Sequence, residues 1–167
     1  MINKLINLLV KNDWIFVRSK KFEDCNNFFP KMIPTSVRSL CSSFDELASP
    51  AENIWFFSQL DYTGRSDSAF KWNEFELNGL TCAMDGKQKN EVSLFWARYF
   101  PFAMSVKNDY KYLAIGIDAN NFGEIFVGEN SDENEILIVA NNFEEFVDLL
   151  GKFYSGNRGE SLDDFFM

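Results

Sequence analysis

"FAMSVKNDYKYLAIGIDANNFGEIFVGENSDENEILIVANNFEEFVDLL", residues 102–150, alternates short apolar runs with turn chemistry and then changes character within two residues. The runs "FAMSV", "YKYLAIGI", "EIFVG" and "ILIVA" are β-branched or aromatic and each the length of a strand. Residues 107–109, "DANNFG" and "ENSDENE" lie between them and supply the Gly, Asn and Asp that hairpin turns use. Connections this short join antiparallel neighbours, so the four runs predict an antiparallel meander. After Ala140 the pattern turns helical. Asn142 is placed to cap a helix, Glu145 stands three residues on as in a capping box, and Glu144 and Glu145 suit the positive end of the helix dipole. Phe143, Phe146, Val147 and Leu150 form a stripe that would pack on the sheet.

Working outward, Ile2, Leu5, Ile6, Leu8 and Leu9 fall at mostly helical spacing, and Asn12 and Asp13 end that helix. A second helix is expected from about Pro34, with Val37, Leu40, Cys41 and Phe44 on one face, closed by Ser49 and Pro50. "NIWFFSQL", residues 53–60, reads as a buried strand, and "DYTGRSDS" after it as a turn. "SAFKWNEFEL" fits two structures: Asp67 or Ser68 would cap a short helix, while Phe70 and Trp72 also fit the period of a strand. In "NEVSLFWARYF" the stripe Val92, Phe95, Trp96, Tyr99 predicts a packed helix that stops before Pro101. The expected fold is therefore α+β, with helices flanking a single antiparallel, mostly meander sheet. Residues 1–154 are expected to form one domain, and "SGNRGESLDDFFM", residues 155–167, a loose acidic tail.

Composition bounds what such a domain does. At 46% hydrophobic, 167 residues suffice for one sizeable core, and the 19 phenylalanines bring much of its area. No run approaches the ~18 apolar residues that span a bilayer, and "MINKLINLLV" is broken by Asn3, Lys4 and Asn7 before it could form a signal sequence. Cys25, Cys41 and Cys82 are odd in number and lack CxxC spacing, which argues against a disulfide framework or a zinc site and suits a reducing cytoplasm. The net charge of −9 is uneven. Residues 1–117 hold 13 acidic and 14 basic side chains, whereas residues 118–167 hold 12 acidic ones against Lys152 and Arg158. That field repels phosphate backbones and attracts basic proteins, although acids also serve simply to keep a Phe-rich chain in solution.

Catalytic signatures are sparse. Histidine is absent, which removes the commonest general base and metal ligand and every Ser-His or Cys-His nucleophile. Neither GxxxxGK[ST] nor GxGxxG occurs, and Gly116, Gly123 and Gly128 fall where hairpins need them. Glu74 and Glu76 would share one face of a strand, as exposed strand residues do by default. The run from Asp118 lacks the ligand pattern of a calcium loop, and residues 129–135 read as a solvated hairpin. No cofactor or metal is expected.

The residues from Phe100 to Leu150 resemble the C-terminal half of the SUKH superfamily, bacterial immunity proteins related to the fungal Smi/Knr cell-wall regulators. The resemblance is carried by "YFPFAMS", "YKYLAIGID", the turn at Gly123 into "EIFVG", and "VANNFEEFVDLL". Upstream, "IPTSVRSL" resembles the family's proline and serine at a helix start, and "WFFSQLDYTGRSDSAFKWNEFE" its following segment. Asn108 and Asp109 replace the family's usual glycine-aspartate, and Val37 its usual aromatic. The resemblance implies an α+β sheet fold and a cytoplasmic, non-enzymatic protein that neutralises a cognate toxin domain by binding it. The toxin would be a basic protein, such as a nuclease delivered between bacteria; direct nucleic-acid or membrane binding is not implied. The alternative is a regulatory module of the same fold with an endogenous partner. Loops on a rigid sheet carry such interfaces, so the expected contact residues are Asp61, Tyr62, Asp67, Trp72, Glu74 and Glu76 in the central segment and Asp118, Glu129, Asp132 and Glu133 on the hairpins.

Overall fold

The computed structural model describes residues 1–19, 29, 32–107, 110–132, 135–157 and 160–166. Its elements in chain order are α1 (Ile2–Lys11), β1 (Ile15–Arg18), α2 (Thr35–Cys41), β2 (Phe44–Ala48), β3 (Ile54–Phe56), α3 (Gln59–Tyr62), α4 (Glu74–Cys82), α5 (Gly86–Trp96), β4 (Tyr99–Ser105), β5 (Lys111–Gly116), β6 (Ile125–Gly128), β7 (Leu137–Ala140), α6 (Phe143–Tyr154) and α7 (Glu160–Phe166). Among the described residues the strands form one seven-stranded sheet in the order β1 to β7, every neighbouring pair antiparallel. The fold is α+β, and the meander extends through the whole sheet.

The expected four-strand block is present, and the N-terminal part of the sheet is larger than the sequence suggests. Phe44 does not continue the second helix. Ser42 Oγ donates to the Arg38 carbonyl at 2.9 Å and Ser43 Oγ to that of Leu40 at 2.7 Å as α2 ends, and the chain then enters β2. Ser49 is a hairpin residue: its Oγ accepts from the Asn53 and Ile54 amides at 3.3 and 3.1 Å, and its own amide donates to the Ile54 carbonyl at 2.7 Å. The strand expected over residues 53–60 ends at Phe56, because Ser58 starts α3 with Asp61 at its third position. The ambiguous segment resolves into an irregular stretch followed by α4, whose N-cap is Asn73. Helix α5 starts at Gly86, with Asp85 Oδ1 accepting from the Gln88 amide at 2.9 Å, and ends at Trp96, so Tyr99 joins the core from β4.

Pro101 lies inside β4 rather than before it. Proline cannot donate to a sheet ladder and is tolerated at bulges; the register of β4 on β5 shifts between Pro101 and Ala103. All residues of β4, β5 and β6 are buried, as expected of strands covered on both faces. Paired strand residues point to one face, and Trp55, Met104, Tyr112 and Gly128 form such a row across β3 to β6. Phe75 from α4 and Trp96 from α5 pack on Tyr112, with ring centroids 4.8 and 5.0 Å away. On the other face Phe56 meets Trp14, and Phe102 meets Phe143 and Phe146 of α6. The sheet is thus clasped between the α4–α5 pair and a layer holding α1, α6 and α7.

The C-terminal segment departs from the expected loose tail. Residues 160–166 are helical, Leu162, Phe165 and Phe166 are buried, and Phe166 lies 6.2 Å from Trp14 between ring centroids. At the opening junction Asn142 caps α6 as expected, its Oδ1 accepting from the Glu145 amide at 2.9 Å. Glu145 reaches one residue further back than a capping box does: Oε2 accepts from the backbone and side-chain nitrogens of Asn141, both at 2.9 Å.

Candidate functional site

A cleft of about 410 Å³ opens on the sheet face that carries α4 and α5. Met104 is its floor. Glu74, Phe75, Asn78, Gly79 and Cys82 of α4 form one wall, and Glu129, Asn130 and Ser131, after β6, form the other. Phe70 and Tyr110 close one end, their rings 5.5 Å apart, and Phe70 in turn packs on Trp55 at 5.8 Å.

Glu129, Asn130, Asp132 and Glu135 are exposed, as expected of a solvated hairpin, and this second wall is also tied to the strand and helix beneath it. Tyr112 Oη donates to the Asn130 carbonyl at 2.7 Å, and Trp96 Nε1 donates to Ser131 Oγ at 2.7 Å. Asn130 Oδ1 accepts from the Asp132 amide at 2.8 Å and closes the turn. Glu129 pairs with Lys111 at 2.9 Å, and the lysine side chain is almost buried. A lysine in the all-buried strand β5 would be costly without such a carboxylate. Gly79 lets this wall approach α4, since a Cβ there would lie 3.0 Å from Ser131 Oγ.

The candidate residues separate on this geometry. Glu74 and Glu129 face the cleft together, although they are 55 residues apart in sequence. Glu74 and Glu76 do not share a strand face: both lie in the first turn of α4, where residues two apart point in different directions. Glu76 is half-buried, and burial raises its carboxyl above the ordinary value. Asp61 is used inside the fold, its Oδ2 accepting from Ser58 N and Oγ at 2.7 and 2.8 Å. Tyr62 is not available as a surface contact. It is buried, stacks on Phe100 at 5.0 Å and donates its hydroxyl to the Pro101 carbonyl at 2.8 Å; burial foremost, then Cys41, pushes its phenol well above the ordinary value. Trp72 is half-buried against Tyr62 and Phe100, at 5.4 and 5.8 Å. Asp67 is exposed in the stretch before α4. Asp118 closes its own turn by accepting from Asn120 N and Nδ2 at 3.0 and 2.9 Å. Asp132 is exposed beside the cleft wall, and Glu133 lies outside the described residues.

No protein-family model, curated protein or solved structure matches this chain. The site is therefore read from its own chemistry. Among the described residues no group of three or more His, Cys, Asp and Glu side chains is arranged to hold a metal ion, and no helix is long and apolar enough to cross a membrane. Sequence reasoning missed Phe70, Asn78, Tyr110 and Lys111. Lys111 had a signal, because a lone lysine within an apolar strand implies a buried partner. Phe70 and Tyr110 had none, since they meet only once α4 is laid across the sheet. The resulting surface offers aromatic and aliphatic carbon beside carboxylates, and it suits recognition of a cationic or amphipathic group.

Proposed function

We propose that this chain is an immunity protein of SUKH type, acting in the cytoplasm, that binds and neutralises a cognate, basic bacterial toxin domain. The observation that carries the reading is where the C-terminal acids stand. Asp132 and Glu135 on the β6–β7 connection and Glu144 on α6 are exposed, as are Glu129 and Asp148 beside the lysines they pair with, Lys111 and Lys4, and Glu129 borders the cleft. An array of carboxylates on a rigid scaffold complements a nuclease groove built to attract phosphate, giving fast association and rejection of acidic competitors. The resemblance in residues 100–150 supports the same reading, and the meander of β4 to β7 leading into α6 is compatible with it.

Co-expression with the protein encoded beside it tests the proposal. The expected result is protection of the host from that protein's toxicity, with the two chains co-purifying and associating more slowly as salt rises. Toxicity unchanged by the chain, with no complex formed, would overturn it.

A further inference from the structure

The cleft between α4 and residues 129–131 is built for one particular kind of contact. Its walls and floor are largely carbon: Phe70, Phe75, Met104, Tyr110 and the backbone at Gly79. Two carboxylates stand in it, and their situations differ. Glu129 is committed to the nearly buried Lys111, so that pair contributes little net charge. Glu74 is half-buried, and among the described residues its carboxylate has no hydrogen-bond or ion-pair partner. Asn78 and Asn130 add amide groups to the rim. The cleft therefore presents one uncommitted negative charge beside aromatic rings, within a volume that holds a long side chain.

Resting on the reading given above, we infer that this cleft receives an arginine side chain projected by the basic partner. The aliphatic stem would lie along Met104 and Phe75, and the guanidinium would meet Glu74 with Phe70 and Tyr110 beside it. Arginine suits the site better than lysine for two physical reasons. A guanidinium forms two parallel hydrogen bonds to a carboxylate, and it is weakly hydrated enough to lie against aromatic rings. A phosphate or carboxylate ligand would meet Glu74 with like charge, and a wholly apolar ligand would leave that carboxylate desolvated and unpaired. Partner arginines are also frequent anchors where a few buried contacts dominate binding.

The test uses N-acetyl-arginine N-methylamide as the probe and its neutral citrulline counterpart as the control, titrated into the 15N-labelled chain. Expected are saturable shifts of the Asn78, Gly79 and Ser131 amides with the arginine probe and none with citrulline. Glu74→Gln should weaken binding by about tenfold, as loss of a charge-assisted contact does, and Asn78→Trp should obstruct the cleft and abolish it. No saturable shift, equal shifts with citrulline, or unchanged binding to Glu74→Gln would each overturn the inference. The outcome is separable from that of the proposed function. Toxin protection with no arginine binding removes this cleft from the interface, whereas arginine binding without protection removes the toxin as partner and leaves the cation site.

Discussion

Tyr112 on β5 lies directly opposite Gly128 on β6, and its ring occupies the space that a side chain at 128 would need. A Cβ on Gly128 would sit 2.4 Å from the Tyr112 hydroxyl oxygen and 2.6 Å from the adjacent ring carbon. The same hydroxyl donates to the Asn130 carbonyl at 2.7 Å, so the pair sets where the cleft wall begins. The glycine is required by this contact and not by its backbone, which stays out of the left-handed region at the end of β6.

Gly128→Ala is expected to destabilise the fold by about 1–3 kcal/mol, the usual cost of overpacking a filled core. The check is the midpoint of urea denaturation. In a Tyr112→Ala background the obstruction is gone, so the same substitution should cost much less, and the double-mutant cycle should show strong coupling. Equal costs in both backgrounds would mean that the ring is not what excludes a side chain at 128.

Where the sequence is legible and where it is not has a physical pattern here. Residues 102–150 are legible because each short strand is bounded by turn residues and because Asn142 and Glu145 mark the start of α6 with side chains that make local hydrogen bonds. β1 and β2 are hard to see. Each is short, and Phe44 sits where a helical stripe starting at Val37 would also place an apolar residue. Helix α4 buries only Phe75, so it shows no clean apolar stripe and the segment before it stays ambiguous, whereas the end of α5 is legible from Val92, Phe95 and Trp96. Half of the cleft follows the same rule: Glu74 and Glu129 stand out as charged residues near turns, while Phe70 and Tyr110 look like any other aromatics until the chain is folded.

The dependence of stability on pH should contain two opposing contributions. Glu145 accepts hydrogen bonds from the Asn141 backbone and then its side chain, which lower its carboxyl below the ordinary 4.5. A lowered carboxyl favours the folded state above the unfolded value, and that contribution is lost as pH falls from about 4.5 through the folded value. Glu76 has the opposite sign: burial raises it, so its contribution is present below 4.5 and disappears as pH rises through the folded value. Glu145→Gln should therefore lower stability at pH 7 and flatten its fall in acid. Glu76→Gln should leave the fold equally or more stable at pH 7. Thermal midpoints from pH 3 to 7 for the two variants and the parent decide it; a Glu145→Gln curve parallel to the parent's would rule out the Asn141 contact as the source.

Helix α7 offers the sharpest test of the C-terminal segment. Phe165 is fully buried, Leu162 and Phe166 nearly so, and Phe166 lies within 5.7 Å of Phe153 and 6.2 Å of Trp14 between ring centroids. Trp14 also donates its Nε1 to Tyr154 Oη at 2.8 Å, so α7 closes over a junction that already joins the start of the sheet to the end of α6. A glycine-rich, charged segment would ordinarily be dispensable, but one that buries three large apolar side chains is not. Phe165→Ala should cost about 3–5 kcal/mol, as phenylalanine truncations in cores do. Deleting residues 160–167 should cost at least as much and should shift the fluorescence of Trp14 to longer wavelength as water reaches it. An unchanged midpoint and an unshifted spectrum after the deletion would mean that the segment is loose after all and that the sheet is closed without it.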